Sequence, residues 1–224
     1  MPSGVAFPRG VAVGSIGSHR DRARFVGSED PVQSVCVYCG SSHGADPAFA
    51  DAARAVGLLI AESGRTLVYG GGHVGLMGVV ADSALAAGGR VVGVIPRTLM
   101  EREVGHGALT ELHVVESMHE RKALMADLSD GFLALPGGVG TMEEFFETWT
   151  WAVLGLHGKP FGLLDVAGFY AALLAFLDRL LEQGFLREHH RAMLLVGRDP
   201  GALIDAMDAY QAPEVPRWIG RDET

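Results

Sequence analysis

The stretch LPGGVGTMEEFFE, Leu135 to Glu147, passes from an apolar run through three glycines into a helical pattern. A strand that enters a helix this way leaves unpaired N–H groups, and roughly half a positive charge, at the edge of a sheet. Glycine lets an anion come close to that backbone, so Gly137, Gly138 and Gly140 suit a phosphate cradle, with the Thr141 hydroxyl as an added donor. The other reading is a tight turn that needs glycine for its dihedrals alone, and local physics does not choose between the two. Glu143 and Glu144 fall in the expected first turn of the helix. Thr141-x-x-Glu144 also has the form of a capping box, which would turn the Glu144 carboxylate back onto a backbone N–H.

Working outward, short β-branched or apolar runs alternate with helix-length segments from residue 33 onward. SVCVYC, TLVYGG, RVVGVIP, ELHVVE, GFLALP, PFGLLD and MLLV read as strands. Helices are expected over Pro47 to Ser63, Val74 to Ala87, Ser117 to Asp127, Thr141 to Leu154, Gly168 to Gln183 and Pro200 to Tyr210, and SMHE has the form of a capping box. Continuously apolar strands are buried on both faces, which requires helices above and below a parallel sheet. The expected fold is α/β, a doubly wound, Rossmann-like sheet in a single domain over residues 31–212, with a flexible extension at 1–30 and a tail at 213–224. Ligands of such sheets bind beyond the carboxyl ends of the strands. That places the site in the loops CGSSHG, YGGGHVGLMG, PRTLMERE and PGGVGT.

Composition bounds the partners. The chain has 224 residues, 48% of them hydrophobic, and a net charge of −9. A nucleic-acid binder needs clustered Lys and Arg against phosphates, so none is expected as partner. No apolar run of about 18 residues could span a bilayer, so no membrane partner is expected either. The only cysteines, Cys36 and Cys39, lie three apart in a strand pattern and point to opposite faces, which favours a structural role over a redox pair. A reducing, cytoplasmic location fits.

Other motifs carry less. GGGHVG, Gly70 to Gly75, matches G-x-G-x-x-G formally, but it follows the second expected strand, and the third ends in Pro96 and Arg97 where an acidic residue for a ribose would stand. NAD is therefore not expected. The nine histidines form no H-E-x-x-H or similar pattern, His189 and His190 diverge on a helix, and no metal is expected. No G-x-S-x-G elbow supplies a serine nucleophile. Glu143, Glu147 and Thr150 share one helical stripe, open to a solvated-face reading, as is the basic pair Arg121 and Lys122.

Taken together, VCVYCGSSHGADPAFADAA, LVYGGGHVGLMGVVADSAL, GVIPRTLMERE, MHERKALM and LPGGVGTMEEFFETWTWAVLGLHGKPFGLLD resemble successive blocks of the LONELY GUY family of cytokinin riboside 5′-monophosphate phosphoribohydrolases. The resemblance covers residues 33–210, and its most specific element, P-G-G-x-G-T-x-x-E, is complete from Pro136 to Glu144. It implies hydrolysis of the N-glycosidic bond of a nucleoside 5′-monophosphate, releasing an adenine-type base and ribose 5-phosphate, by a homodimer or larger assembly without cofactor. It places the catalytic pair on Arg121 and Glu144. It places substrate contacts on Glu103, Lys122, Gly138, Val139, Gly140, Thr141, Glu143 and Thr150, and Ser41, Gly72, Gly137 and Met142 border the same loops. Met100, His106 and Met118 are candidates for choosing the base. Many relatives carry an older label of lysine decarboxylase, but neither Lys122 nor Lys159 has the context of a pyridoxal phosphate lysine. A nucleotide carrier without catalysis, or a general AMP nucleosidase, are the alternatives. His43 and His73, in loops otherwise made of small residues, and the extension are the departures from the family pattern.

Overall fold

The computed structural model describes residues 12–13, 31–103 and 105–213, so most of the expected extension and all but the first residue of the expected tail lie outside the described residues. Among the described residues, eight strands, β1 Ala12–Val13, β2 Ser34–Tyr38, β3 Thr66–Tyr69, β4 Arg90–Pro96, β5 Glu111–Val115, β6 Gly131–Ala134, β7 Phe161–Leu164 and β8 Leu194–Gly197, form one sheet. Their order is β1-β5-β4-β3-β2-β6-β7-β8, and every pairing is parallel. The chain builds outward from β2 on one side, then crosses back to place β6 on the other. The turns after β2 and β6 therefore diverge at the point where the strand order reverses, the place where such sheets open a crevice.

Helices α1 Pro47–Glu62, α2 Gly75–Ala86, α3 Arg97–Glu103, α4 Met118–Asp127, α5 Val139–Val153, α6 Ala171–Glu182, α7 Glu188–Ala192 and α8 Pro200–Asp208 cover both faces. Aspartates cap two of them: Asp46 accepts from Ala48 N–H at 2.9 Å and Asp199 from Ala202 N–H at 2.8 Å, each followed by proline at the first helical position. Alternate residues of the strands feed two cores. Val35, Val37, Leu67 and Leu133 pack with α1, α2 and α8, whereas Cys36, Tyr38, Val68 and Phe132 pack with α4, α5 and α6. Cys39 sits in the first cluster and Cys36 in the second, as a structural pair on opposite faces should. Burial pushes the Cys36 thiol up to about 12, which keeps it protonated and inert.

Three elements lie outside the expected pattern. The loop expected after β4 contains α3, because Leu99 and Met100 pack onto the first core cluster and draw the segment into a helical turn. The five-residue α7, too short for a periodic signal, follows α6. Ala12 and Val13, within the expected extension, pair in parallel with Glu111 and Leu112.

Helices α1 and α2 lie in close contact at Gly57, where a Cβ would come within 2.4 Å of the Val80 carbonyl oxygen and 3.0 Å of Ser83 Cβ. Alanine is better than glycine inside a helix by about 1 kcal/mol, but the obstacle here is backbone, and overpacking costs about 1–3 kcal/mol. Gly57→Ala should therefore lower the urea midpoint, with a net loss of about 1 kcal/mol or more. A raised midpoint would contradict this packing.

Candidate active site

The turn from β6 into α5 holds the opening motif. Helix α5 has Gly138 as its N-cap, no side chain caps it, and its first backbone bond runs from Met142 N–H to the Gly138 carbonyl at 3.1 Å. The amides of Val139, Gly140 and Thr141 thus precede the helical ladder, and a Cβ added at Gly138 or Gly140 would meet nothing within 4 Å. That open space is what an anion cradle requires. Gly137 differs: a Cβ there would lie 2.1 Å from the Thr141 hydroxyl, so glycine lets the buried threonine close the turn. Gly40 N–H donates to the Pro136 carbonyl at 3.1 Å, which ties the β2 loop carrying the exposed Ser41 to the same edge.

With Gly138 as N-cap, Thr141 is the third helical residue and Glu144 the sixth. The first turn holds no acidic residue, which corrects the expected placement of Glu143 and Glu144 there and removes the Thr141 capping box. The other capping box forms: Ser117 Oγ accepts from Glu120 N–H at 3.1 Å, while Glu120 reaches one residue past the cap to accept from Glu116 N–H at 2.8 Å.

Arg121, on α4, is buried at 8% exposure. Its Nε donates to the Val94 carbonyl and its Nη2 to the Gly70 carbonyl, both at 3.2 Å. Gly70 makes this possible, because a Cβ there would fall 1.9 Å from Nη2. The remaining nitrogen, Nη1, faces Glu144 Oε1 at 3.8 Å and Met118 Sδ at 3.8 Å. The two charges attract without sharing a hydrogen bond, which leaves the carboxylate its lone pairs. Burial raises the Glu144 pKa from its ordinary value; Arg121 opposes that rise and Glu143 adds to it.

Lys122 points to the next stripe of α5, with Nζ at 2.6 Å from Glu143 Oε1 and 2.9 Å from Glu147 Oε2. Burial works against its charge, but the two carboxylates outweigh it and hold the ammonium above its ordinary value. Beneath, Tyr38 Oη pairs with Thr148 Oγ1 at 3.0 Å, and Thr148 donates to the Glu144 carbonyl at 2.8 Å, which fixes α5 against the sheet at the level of the carboxylate.

The fold thus brings Arg121, Lys122, Glu143, Glu144 and the Gly137–Met142 turn to one edge. Gly72 is buried and bridges Gly105 in the neighbouring loop. Glu103 ends α3, and its side chain lies outside the described residues. Thr150 lies further along α5, one turn beyond Glu147, its hydroxyl donating to the Phe146 carbonyl at 2.7 Å. Among the base candidates, Met118 borders Arg121, Met100 packs on the core, and His106 is engaged elsewhere, with Nε2 at 2.8 Å from Asp82. Sequence reasoning missed the carbonyls of Gly70 and Val94, since backbone acceptors carry no residue signature. It also missed a cluster of His73, Asp82 and His106, whose donor atoms all lie within 4.8 Å of one another.

A family profile described as possible lysine decarboxylase matches residues 77–207. A probable cytokinin riboside 5′-monophosphate phosphoribohydrolase of Oryza sativa is 48% identical over 79% of this chain and 72% of its own length. An Arabidopsis thaliana cytokinin riboside 5′-monophosphate phosphoribohydrolase is 43% identical over 84% of this chain and 87% of its own. Among solved structures, the molybdenum cofactor carrier protein of Chlamydomonas reinhardtii superposes with a TM-score of 0.59 at 23% identity, covering 79% of this chain and 96% of its own. A structural-genomics target, TM1055, gives 0.61 at 21% identity, covering 80% and 99%. These two likenesses concern the fold alone.

The raised Glu144 pKa has a consequence for stability. A carboxyl that binds its proton more tightly folded than unfolded costs stability at pH values above both midpoints, and the cost disappears as pH falls below the unfolded value of about 4.3. Glu144→Gln should therefore raise the melting temperature at pH 7, and the gain should vanish near pH 4. A variant less stable than the parent at pH 7 would contradict the desolvated carboxylate.

Proposed function

The chain belongs to the cytokinin riboside 5′-monophosphate phosphoribohydrolase family, and on that premise we propose that it hydrolyses the N-glycosidic bond of an adenosine-type 5′-monophosphate, N6-substituted or not, to free base and ribose 5-phosphate. The observation that carries this reading is the pairing of the buried Arg121 with the largely buried Glu144, at 3.8 Å, beside the uncapped start of α5.

The substrate's 5′-phosphate docks on the amides of Gly138 to Thr141, where the helix end favours an anion and no side chain competes for those donors. Held there, the nucleotide presents its ribose to the second turn of α5, and phosphate binding contributes to orientation at the anomeric carbon. As the bond from C1′ to the base nitrogen breaks, its electron pair leaves with the base and positive charge develops on the ribose. The desolvated Glu144 carboxylate stabilises that charge more than it stabilises the neutral sugar, because it is fixed before the charge appears. Its raised proton affinity also suits it to take a proton from the water that captures C1′; the hydroxyl stays on the ribose, and the proton passes on to the departing base, which restores the carboxylate. Arg121, held by two carbonyls, keeps the carboxylate ionised and directed without closing on it. Lys122 offsets Glu143 and Glu147, which would otherwise repel a phosphate.

Decarboxylation through pyridoxal phosphate needs a lysine available for a Schiff base. Lys159 is buried with its ammonium donating to the Ala126 carbonyl at 2.6 Å, and Lys122 is clamped by two carboxylates, which does not fit that chemistry. The homodimeric, cytoplasmic form implied by the family resemblance belongs to the same proposal.

Incubation with AMP and with isopentenyladenosine monophosphate should release free base, and comparison of kcat/KM for the two measures base preference. Glu144→Ala and Arg121→Ala should each lower turnover by about 10²-fold or more, by analogy with loss of one preorganised charge. Two folded variants with turnover near that of the parent would overturn the role assignment.

A further inference from the structure

Behind the Gly70–Gly75 turn, three ligand-type side chains from distant parts of the chain converge. His73 leaves the turn after β3, Asp82 stands on α2, and His106 comes from the loop that leads to β5. His73 Nε2 lies 3.2 Å from Asp82 Oδ2 and His106 Nε2 lies 2.8 Å from Oδ1, so each carboxylate oxygen faces one imidazole. The imidazole rings meet edge to face with centroids 4.3 Å apart. His106 is buried at 4% exposure, whereas His73 and Asp82 have side chains about half exposed, at 50% and 56%. The group is anchored on one side and open to solvent on the other.

We propose that His73, Asp82 and His106 form a binding site for a divalent transition metal ion of the zinc class. Metal–ligand bonds of about 2.0–2.2 Å in a tetrahedron separate ligand atoms by about 3.3 Å, close to the two histidine–aspartate spacings of 3.2 and 2.8 Å, and with all three donors within 4.8 Å of one another a small closing of the ligands reaches that geometry; the exposed side supplies room for a water in the fourth position. Two imidazoles and one carboxylate favour zinc, nickel or copper over magnesium, which prefers an all-oxygen octahedron. The ion replaces the two Nε2 protons between the histidines and Asp82. His106 then carries its proton on Nδ1 and gives up the contact at which Ala108 N–H donates to that atom, a long one at 3.3 Å.

The position gives the site a role. His106 N–H donates to the Gly71 carbonyl at 3.2 Å and Gly72 bridges Gly105, so an ion held by His73 and His106 fastens both loops to α2. Those loops adjoin Gly70, whose carbonyl holds the Arg121 guanidinium. The ion is therefore a structural clasp behind the site, and it takes no part in bond cleavage. This inference stands on the three side chains alone and does not depend on the proposed reaction.

The test uses the metal-stripped full chain titrated with Zn²⁺ by calorimetry and with Co²⁺ by visible absorption, alongside Asp82→Asn, His73→Gln and a His189→Gln/His190→Gln control. Asp82 and His73 are exposed enough for their variants to fold. One equivalent should bind to the parent and to the control, with a cobalt band of a four- or five-coordinate nitrogen and oxygen site. Zinc should raise the melting temperature of the parent, and magnesium should not. Each of Asp82→Asn and His73→Gln should weaken binding by about 10-fold or more, since even outer partners of a metal site cost that much. No binding by the parent, unchanged affinity in both variants, or loss confined to the His189/His190 control would overturn the proposal.

Discussion

Arg121 is a guanidinium that is satisfied by backbone before it meets its charge partner. Two of its nitrogens are committed to the carbonyls of Val94 and Gly70, and the third stands 3.8 Å from Glu144. A buried carboxylate alone would take up a proton, and one locked in a close bidentate pair would have little affinity left for a substrate's charge. The observed separation lies between these limits. It depends on a residue without a Cβ at position 70, on β4 for the second carbonyl, and on the Ser117 cap that begins α4 four residues before Arg121.

The sheet explains why such a pair can face an anion cradle. Because β2 and β6 are neighbours from which the chain departs in opposite directions, the start of α5 opens beside the loop after β2, and α4 packs against β4 and β5 on the same face as α5. Two helices therefore place their charged residues across one gap: Arg121 and Lys122 from α4, and Glu143, Glu144 and Glu147 from α5. The Tyr38–Thr148 bond below sets the height of the carboxylate relative to the sheet. The site costs stability by design, since burial disfavours the ionised form of Glu144.

Much of this architecture was legible in the chain. Runs such as RVVGVIP and GFLALP announce strands buried on both faces, and Asp46-Pro47 and Asp199-Pro200 mark helix starts without ambiguity. What was misread turned on local boundaries. The N-cap of α5 at Gly138 rather than Thr141 moves Glu144 from the third helical position, where a capping box could form, to the sixth, a side chain of the second turn. Helix α3 was hidden because its apolar residues, Leu99 and Met100, are too few to set a period. His73, Asp82 and His106 meet only through tertiary structure, and no spacing rule joins residues on a turn, a helix and a distant loop. The resemblance to a known family supplied the roles of Arg121 and Glu144, which charge and spacing alone left open.

The central claim is that the nucleotide's phosphate rests on the bare amides at the start of α5, leaving the sugar beside the side chain at position 144. A crystal structure of the Glu144→Gln variant with a nucleoside 5′-monophosphate tests this most directly. The account predicts phosphate oxygens within hydrogen-bond distance of the Gly138–Thr141 amides and the anomeric carbon facing the substituted side chain. A nucleotide bound elsewhere, with that helix start free of phosphate, would contradict it.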